Sequence, residues 1–549
     1  MHQKHLRLAT ITALMLGSST AAVALPFSGL DPRSMAMGGA GVAEADPSSA
    51  PIFNPALLST DAPDSKYAFD LLAMGVRFND PGNMRRDMPA IKDSSTAFQN
   101  STTTLSADSS NLTTSTNALQ ASTTALNATT TAGLTAANLG TTATQLATVA
   151  TNMTTVSGKM TTVSADTSNT SQSLTKMDNS LKPLDGKPLY GDLGLSTVLG
   201  VPGKNVGFAF FSNANMAMAG TLIYLDSPTI STNTTALNST STALANSATV
   251  IGAIGTVGST ADLVNIASTA VASANTACNP APSATCAASL TTAQTALSSA
   301  NASMQTTQTA LNNNATTINN NSTTITNNNQ AKSQVRINAA LISEAGFSVS
   351  HTFVTAGHEW ALGVSPKFMK IDLYDSTISG ASGSLNNANG SQYLAQYSSF
   401  NFDLGVAKNY GNGWSTGLVV KNVIPYSFEF KNNNVPTGQT LNLSPMPRIG
   451  VAKHFSWAVL TMDADLKAND PVGLGNKSQY VSLGGEASAW GWAQIRAGYR
   501  VDAVNSARNV ASIGLGLSPR IPYFKPRFDI AVAGNQDEVG LSARLGLKF

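Results

Sequence analysis

The sequence predicts an all-β transmembrane outer-membrane barrel of about 14 antiparallel strands, with an N-terminal hatch and two inserted α-helical (coiled-coil) hairpins. Apolar and polar residues alternate in many short segments, and long connections alternate with short ones between these segments. The chain also ends on an alternating segment, "EVGLSARLGLKF". A soluble sheet could use the same alternation around a dry core, so a β-sandwich remains the alternative interpretation of the strands.

The first 24 residues have the layout of a secretory signal peptide. Basic residues precede an apolar stretch from Leu8 to Leu16, and small residues follow as far as Ala24. Because the apolar stretch is too short to span a bilayer as a helix, a membrane anchor fits less well. The sequence therefore predicts cleavage before Leu25 and export of the mature protein.

The composition excludes several classes of protein. Charged residues make up 11% of the chain and the formal net charge is +2, which gives no basic footprint for direct contact with nucleic acid. After the leader, no apolar run is long enough to predict a transmembrane helix. A membrane protein with this sequence must therefore cross the bilayer as a closed barrel.

Charged residues fall on one face of the predicted strands. In "AVLTMDADLK", the side chains of Leu460 and Met462 point to one side and that of Asp463 to the other. The later strands repeat this pattern, which predicts aliphatic side chains facing lipid and charged ones facing a polar interior. The predicted lumen charges are Asp463, Asp465, Arg496, Arg500, Arg527, Asp529 and Arg544.

The lengths of the connections predict an orientation. The strands are predicted to start near residues 66, 190, 205, 337, 358, 397, 413, 441, 457, 478, 491, 508, 523 and 538. Long connections follow the first, third, fifth, seventh and ninth strands, and short ones follow the strands between them and the tenth. Because outer-membrane barrels have short periplasmic turns and long outer loops, both insertions are expected on the outer face.

The last predicted strand must close the barrel against the first. It ends on Leu545, Leu547 and Phe549. A terminal aromatic residue on this strand resembles the recognition signal that the barrel-assembly machinery reads in the outer-membrane proteins of Gram-negative bacteria. The expected partners are therefore this machinery and the lipid bilayer of the outer membrane.

Two long segments, residues 92–182 and 231–336, are rich in Thr, Ala, Ser and Asn and carry very little charge. Leucines recur every seventh residue from Leu105 to Leu126, and a second series with the same interval runs from Leu139 to Leu181. Valines from Val149 to Val163 lie three residues after members of the second series and give it a second seam position. We interpret each segment as an antiparallel helical hairpin. The alternative is a disordered tract, because Thr, Asn and Ser are mediocre helix formers.

The two cysteines, Cys278 and Cys286, flank a proline-containing turn in the second insertion. In an oxidising exported compartment this arrangement favours a disulfide over a redox or metal site. The histidines are scattered without the spacing of metal ligands. The sequence therefore predicts a disulfide staple, no metal and no cofactor.

The segment between the leader and the first strand, residues 25–62, contains "RSMAMGGAGVA" and "FNPALL". Its glycines permit close backbone approach, and its Asn-Pro pair marks a turn. It lacks the full G-x-G-x-x-G spacing, so a nucleotide site is not expected. A compact hatch fits better, and its predicted residues are Arg33, Gly38, Gly39, Gly41, Asn54 and Pro55.

Together with "LLAMGVRFNDPGNM", these motifs resemble the start of two related families. One is the conjugal transfer TraF-like family, named after the plasmid transfer operon protein TraF, to which the last motif is closer. The other comprises the FadL-type long-chain fatty-acid transport porins. In those porins the segment plugs a fourteen-stranded barrel, and the resemblance implies the same place here. The two insertions depart from the porin pattern.

The sequence contains no nucleophile elbow, no H-E-x-x-H and no phosphate loop, so we do not expect an enzyme. The first functional hypothesis is a TraF-like protein whose barrel anchors helical projections that contact another cell or a surface partner. The alternative is a FadL-like channel for hydrophobic small molecules. In either case residues 63–91 would hold the first strand, and residues 183–230 and 337–549 the remaining ones.

Overall fold

The computed structural model describes residues 30–60, 66–251, 260–279, 284–327, 332–355, 358–379, 390–469, 477–489, 491–519, 521 and 524–549. The predicted signal peptide, residues 1–24, lies outside the described residues. The chain forms two compact units. We call them the barrel unit, with Leu184–Tyr224, Lys332–Phe549 and the described residues up to Arg86, and the helical unit, with Asp87–Pro183 and Leu225–Ala331.

Fourteen antiparallel strands form the closed barrel, in the order β1-β16-β15-β14-β13-β12-β11-β10-β7-β6-β5-β4-β3-β2. The first strand closes the sheet on the last, from Ala68 opposite Lys548 to Asn79 opposite Glu538. The strands are β1 (Ala68–Asn79), β2 (Pro188–Val201), β3 (Val206–Ile223), β4 (Gln334–Thr355), β5 (His358–Ser379), β6 (Leu394–Asn409), β7 (Trp414–Lys421), β8 (Tyr426–Asn432), β9 (Val435–Leu443), β10 (Met446–His454), β11 (Ala458–Asp465), β12 (Tyr480–Ala489), β13 (Ala493–Asp502), β14 (Val510–Leu517), β15 (Lys525–Gly534) and β16 (Glu538–Lys548). This is the predicted outer-membrane fold.

The alternation of side chains gives the barrel an apolar outside and a charged inside. In β5, Phe368 is 72% exposed while its neighbour Lys367 is 1% exposed. In β11, Leu460 and Met462 are exposed and Asp463 is fully buried. A band of exposed aliphatic and aromatic side chains around a polar interior is the pattern of a barrel that lies in lipid.

The lengths of the connections follow the predicted parity over most of the barrel. Short connections span residues 202–205, 410–413 and 455–457, and the two insertions follow β1 and β3. The parity ends after β13, because the connections at residues 503–509 and 518–524 are equally long and the last one, residues 535–537, is short although it lies on the side of the long ones. Both insertions therefore leave the barrel at the same rim.

The eighth barrel strand begins later than predicted, and the hairpin before it was not predicted. Residue 441, the predicted start of the eighth barrel strand, lies in β9, and the eighth barrel strand is β10, which begins at Met446. The hairpin β8–β9 is a separate two-stranded sheet whose Phe430 and Leu441 pack against inward-facing residues such as Ile371. Apolar and polar residues alternate in this hairpin as in a barrel strand because its apolar face packs against the inner wall of the barrel.

The described part of the N-terminal segment, residues 30–60, lies inside the barrel as the predicted hatch. It contains two short helices, α1 (Pro32–Ala36) and α2 (Ala50–Phe53), and a 3-10 turn at Pro55–Ser59. Asp31 caps α1 by accepting a hydrogen bond from the Ser34 amide at 3.0 Å. Further 3-10 turns lie at Lys182–Leu184, Ser391–Tyr393 and Ser506–Arg508.

The helical unit contains both insertions. Its helices are α3 (Met84–Ala132), α4 (Leu139–Leu181), α5 (Ser227–Ile251), α6 (Thr260–Cys278) and α7 (Cys286–Asn327). Heptad residues of both insertions share one core, which includes Leu126, Leu146, Leu244 and Leu297. The side chains of Asn301 and Asn127 also join the insertions by a hydrogen bond of 2.9 Å. The two expected hairpins are thus one folded body.

Threonine is compatible with these long helices because its hydroxyl bonds to the backbone. Thr148 donates to the carbonyl of Thr144 at 2.9 Å, and many other threonines repeat this contact four residues back. Each such bond satisfies the hydroxyl donor without a partner outside the helix. The predicted disulfide between Cys278 and Cys286 is present and joins α6 to α7.

Candidate functional site

The barrel wall has glycines where the hatch backbone touches it. A Cβ on Gly484 or Gly498 would overlap the backbone of Met37 or Gly38, and one on Gly417 would overlap the carbonyl of Val42. The hatch glycines are equally constrained, because Gly38 and Gly39 have φ of 70° and 96°. Hatch and wall are therefore packed without a gap at these points.

The Asp463 side chain anchors the hatch by binding backbone amides of the hatch. Its Oδ2 accepts hydrogen bonds from the amides of Gly41 at 2.8 Å and Val42 at 2.9 Å. A Cβ on Gly41 would overlap the ring of Phe53. This predicted lumen charge therefore binds one of the predicted hatch glycines.

Arg33 joins the hatch to β12 through a buried ion-pair cluster. Its Nε donates to Glu486 at 2.9 Å and its Nη2 to Glu44 at 2.8 Å, while Asp46 lies 3.7 Å away. Burial opposes the charged form of Arg33, but Glu486, Asp46 and Glu44 outweigh this effect and hold its pKa well above the ordinary value. The Arg33 side chain is charged at any physiological pH.

Asp46 faces the last two strands. It pairs with Arg527 at 2.5 Å, Arg544 at 3.6 Å and Lys548 at 3.7 Å. Burial alone would raise the pKa of Asp46, but Arg527, and then Arg33, Lys548 and Arg544, lower it well below the ordinary value. The hatch is thereby tied to the strands that close the barrel.

Glu44 connects the hatch to the rim of short turns. Its Oε2 lies 2.9 Å from Nε2 of His454, at the end of β10, and Ser415 approaches the same nitrogen at 3.3 Å. Burial would raise the pKa of Glu44, but its contacts with His454 and Arg33 lower it. Because the serine and the carboxylate share one nitrogen, the group lacks the relay geometry of a catalytic triad.

Asn54 and Pro55 turn the hatch chain at the opposite wall. The Asn54 side chain donates to the carbonyls of Val42 at 2.9 Å and Val406 at 3.2 Å, and it accepts from the amide of Ala56. Pro55 begins the 3-10 turn, which packs on β4, β5 and β6. These two predicted hatch residues thus fix the end of the segment.

The other predicted lumen charges pair within the wall. Arg496 binds Glu486 and Asp529, both at 2.6 Å. Asp529 also forms ion pairs with Arg527 and Arg544, both at 2.8 Å. Two further predicted lumen charges, Asp465 and Arg500, lie apart from this group. Asp465 pairs with Arg448 at 3.3 Å, and Arg500 pairs with Glu538 at 2.5 Å.

The interior keeps a cavity of about 60 Å³ between hatch, wall and the β8–β9 hairpin. Leu30, Met369 and Leu443 line its apolar side, and Arg77 and Lys367 its charged side. It is far smaller than the roughly 300–1,000 Å³ of sites that hold drug-sized ligands. A larger solute would therefore require the hatch to move.

The three residues of the predicted assembly signal lie on the outer side of β16. Leu545 and Phe549 are exposed and Leu547 is half-buried. The Phe549 ring lies 5.6 Å from that of Tyr67, and the two backbones exchange hydrogen bonds. The terminal aromatic side chain is therefore accessible at the seam where the barrel closes.

Sequence reasoning missed the acidic half of the hatch site. Glu44, Asp46 and Glu486 all bind Arg33, and Glu344 and Asp403 hold Lys367 at 3.0 Å in another cluster. The strand alternation that identified Asp463 would also have identified Glu486, which lies on the same face of its strand as Ser482. The hatch carboxylates gave no such periodic signal.

Among the described helices, none combines the length and the hydropathy that crossing a bilayer requires. Within the described part of the chain, no three His, Cys, Asp or Glu side chains gather as metal ligands do.

Solved structures to which the chain is similar include a transporter, a channel and a FadL homologue. The toluene transporter TbuX of Ralstonia pickettii is 9% identical with a TM-score of 0.42, covering 95% of this chain and 99% of its own. The CymD monoaromatic hydrocarbon channel is 8% identical with a TM-score of 0.40, and the match covers 96% of this chain and 99% of the channel. A FadL homologue of Pseudomonas aeruginosa is 11% identical with a TM-score of 0.23, covering 66% and 68%.

The sequence has no match among curated proteins. The family model described as "F plasmid transfer operon, TraF, protein" matches residues 51–465, which include the end of the hatch, both insertions and the barrel as far as β11. The predicted resemblance is thus confirmed, and the chain belongs to the family of the F plasmid transfer operon protein TraF.

Proposed function

We propose that this protein is an outer-membrane anchor that presents its helical unit to a partner outside the cell during contact between cells. One observation carries the proposal. Two insertions, separated in sequence by β2 and β3, leave the barrel at the same rim and build a single core. The shared core holds both insertions as one folded body, which suits presentation to a partner.

The interior of the barrel supports an anchoring role. The hatch is held by backbone contacts on glycines, by Asp463 and by the Arg33 cluster, and these interactions fix it in place. The family name refers to plasmid transfer, and we extend it to this chain as a role in the contact between donor and recipient cells. In this role the barrel holds and orients the helical unit.

Labelling of introduced cysteines on intact cells tests the orientation. Thr151 is exposed on α4, and Asn412 is exposed in the turn between β6 and β7. An impermeant maleimide should label Thr151→Cys on intact cells and Asn412→Cys only after the outer membrane is opened. The reverse pattern would refute the proposal.

Deletion of the helical unit tests the role. Short linkers would replace residues 87–183 and 225–331, and heat-modifiable migration would show that the barrel still closes. We expect plasmid transfer and mating-pair contacts to fall at least tenfold in cells that carry this variant. Unchanged contact with a closed barrel would contradict the anchoring role.

The second candidate function is a channel for hydrophobic small molecules. The cavity beside Leu30, with Met369 and Leu443 on its apolar side, favours it, because this space would widen if the hatch shifted. Under this hypothesis the deletion variant would keep its uptake of small aromatic compounds. A variant with a displaced hatch, such as Gly484→Ala, would instead change it.

A further inference from the structure

The exposed face of α7 carries no charge. Between residues 263 and 331 the sequence contains no Asp, Glu, Lys or Arg. The exposed positions along the helix whose burial is described are Ala287, Ala288, Thr291, Thr292, Thr295, Ser298, Ser299, Ala302, Gln305, Thr306, Thr309, Asn312, Asn313, Thr316, Thr317 and Asn320. We call them the neutral face. Soluble surfaces usually carry about 25–35% charged residues, and a surface near zero charge promotes association.

The threonine hydroxyls of the neutral face are already bonded to backbone carbonyls. Thr291, Thr295 and Thr306 donate to the carbonyls of Ala287, Thr291 and Ala302 at 3.0–3.2 Å, and the remaining threonines of this face do the same. Burial of the face would therefore strip water from no charge and from no threonine donor that lacks a partner. These are the two largest costs of desolvating a polar surface.

We propose that the neutral face docks on the same face of a second copy of this chain, in an isologous pair. This inference rests on the proposed function, for which it names the partner. The Gln305, Asn312 and Asn313 amides each hold donors and an acceptor, so identical faces can complement one another, and no like charges meet. A charged partner would gain nothing from this face.

The dimensions of α7 predict a contact of modest strength. The neutral face runs over the 34 residues from Ala287 to Asn320, which span about 51 Å, and a strip about 10 Å wide gives roughly 500 Å² per partner. Stable interfaces bury about 800 Å² per partner, so the pair should form reversibly. Reversible contact suits cells that must separate again.

Charge variants test the pairing in the full-length protein. Thr295, Ala302 and Thr309 lie at seven-residue intervals on the outermost line of the neutral face. One variant carries Lys at all three positions and a second carries Glu, and sedimentation equilibrium in detergent micelles measures the dissociation constant. In an antiparallel pair, position 295 faces 309 and position 302 faces itself.

We expect the wild-type chain to form dimers and each variant alone to dissociate at least about tenfold more readily, because like charges meet. An equimolar mixture of the two variants should regain dimers in low salt and lose them in high salt. The control places Lys at Thr103, Ser110 and Asn117, which are exposed on α3, and should dimerise like the wild type. Circular dichroism would show that the helices of every variant are intact.

A monomeric wild-type chain, or a mixture that fails to dimerise although each variant is folded, would overturn the pairing. These outcomes are separable from the proposed function. If Thr151→Cys is labelled on intact cells and the deletion lowers transfer, a monomeric chain refutes only the second copy as partner. If the helical unit is not outside, the proposed function fails whether or not dimers form.

Discussion

Arg33 and Glu486 lie 453 residues apart and are joined by a hydrogen bond of 2.9 Å inside the barrel. The pair connects the first helix of the hatch to β12, and both side chains are largely buried. Glu486 also forms an ion pair with Arg496 of the neighbouring strand. The attachment of the hatch is thus continuous with the ion pairs of the wall.

Replacing Arg33 alone should loosen the hatch. Arg33→Met leaves Glu44 and Glu486 without their shared partner, and breaking a buried pair from one side costs about 3–5 kcal/mol. Protease cleavage within residues 30–60 should become faster in the folded barrel. The double variant Arg33→Met, Glu486→Met also removes one of the carboxylates that lost Arg33 and should recover part of the loss. Cleavage of Arg33→Met at the wild-type rate would contradict the role of the cluster.

Two adjacent glycines of β12 should respond differently to the same change. Gly484→Ala places a methyl group against the backbone of Met37, whereas Gly485→Ala meets only the flexible Leu460 side chain at 3.2 Å and a carbonyl at 3.8 Å. Single-channel recordings in planar bilayers should show new open events for the first variant and wild-type behaviour for the second. Equal behaviour of the two folded variants would show that the hatch is not held by this contact.

Acid should release the hatch before it unfolds the barrel. Glu44 and Asp46 have pKa values below their ordinary 4.5 and 3.8, so their contribution to hatch attachment is complete above those values and is lost as the pH falls through the lowered ones. Hatch protection from protease should be constant between pH 7 and 5 and decline below about 4.5. In Glu44→Gln, protection should be weaker at pH 7 and should change less with pH. A decline that begins near neutrality would point to another group.

The shared core predicts that damage to one insertion reaches the other. Leu146→Ala removes a fully buried side chain of α4 and should cost about 2–5 kcal/mol in the helical unit. Hydrogen exchange should then accelerate in α7 as well as in α4. The control Thr148→Ala removes an exposed hydroxyl and should leave α7 unchanged. Acceleration confined to the first insertion would mean that the two fold independently.

Reduction of the disulfide should weaken the helical unit and spare the barrel. The bond closes a segment of 8 residues, for which chain entropy gives a stabilisation of about 2–3 kcal/mol. Thermal unfolding followed by the helical circular dichroism signal should shift to lower temperature in Cys278→Ser, Cys286→Ser. Heat-modifiable migration of the barrel should stay the same. A loss of barrel closure would show that the staple stabilises more than α6 and α7.

Much of the barrel was predictable because a strand between lipid and water must alternate. Asp463, Arg496 and Asp529 were identified by this period alone, and the heptads located the helices in the same way. The hairpin β8–β9 was misread because a strand packed on the inner wall alternates like a barrel strand. Glu44 and Asp46 were missed because an irregular segment has no period that reveals which carboxylates are buried.

The core shared by Leu126 and Leu297 also constrains how this protein can evolve. Neither insertion is a separable module, since loss of one by recombination would expose the leucines of the other to water. The smallest segment that relatives could exchange lies between β1 and β4 and includes both insertions and the strands β2 and β3. Relatives should therefore possess both insertions or neither.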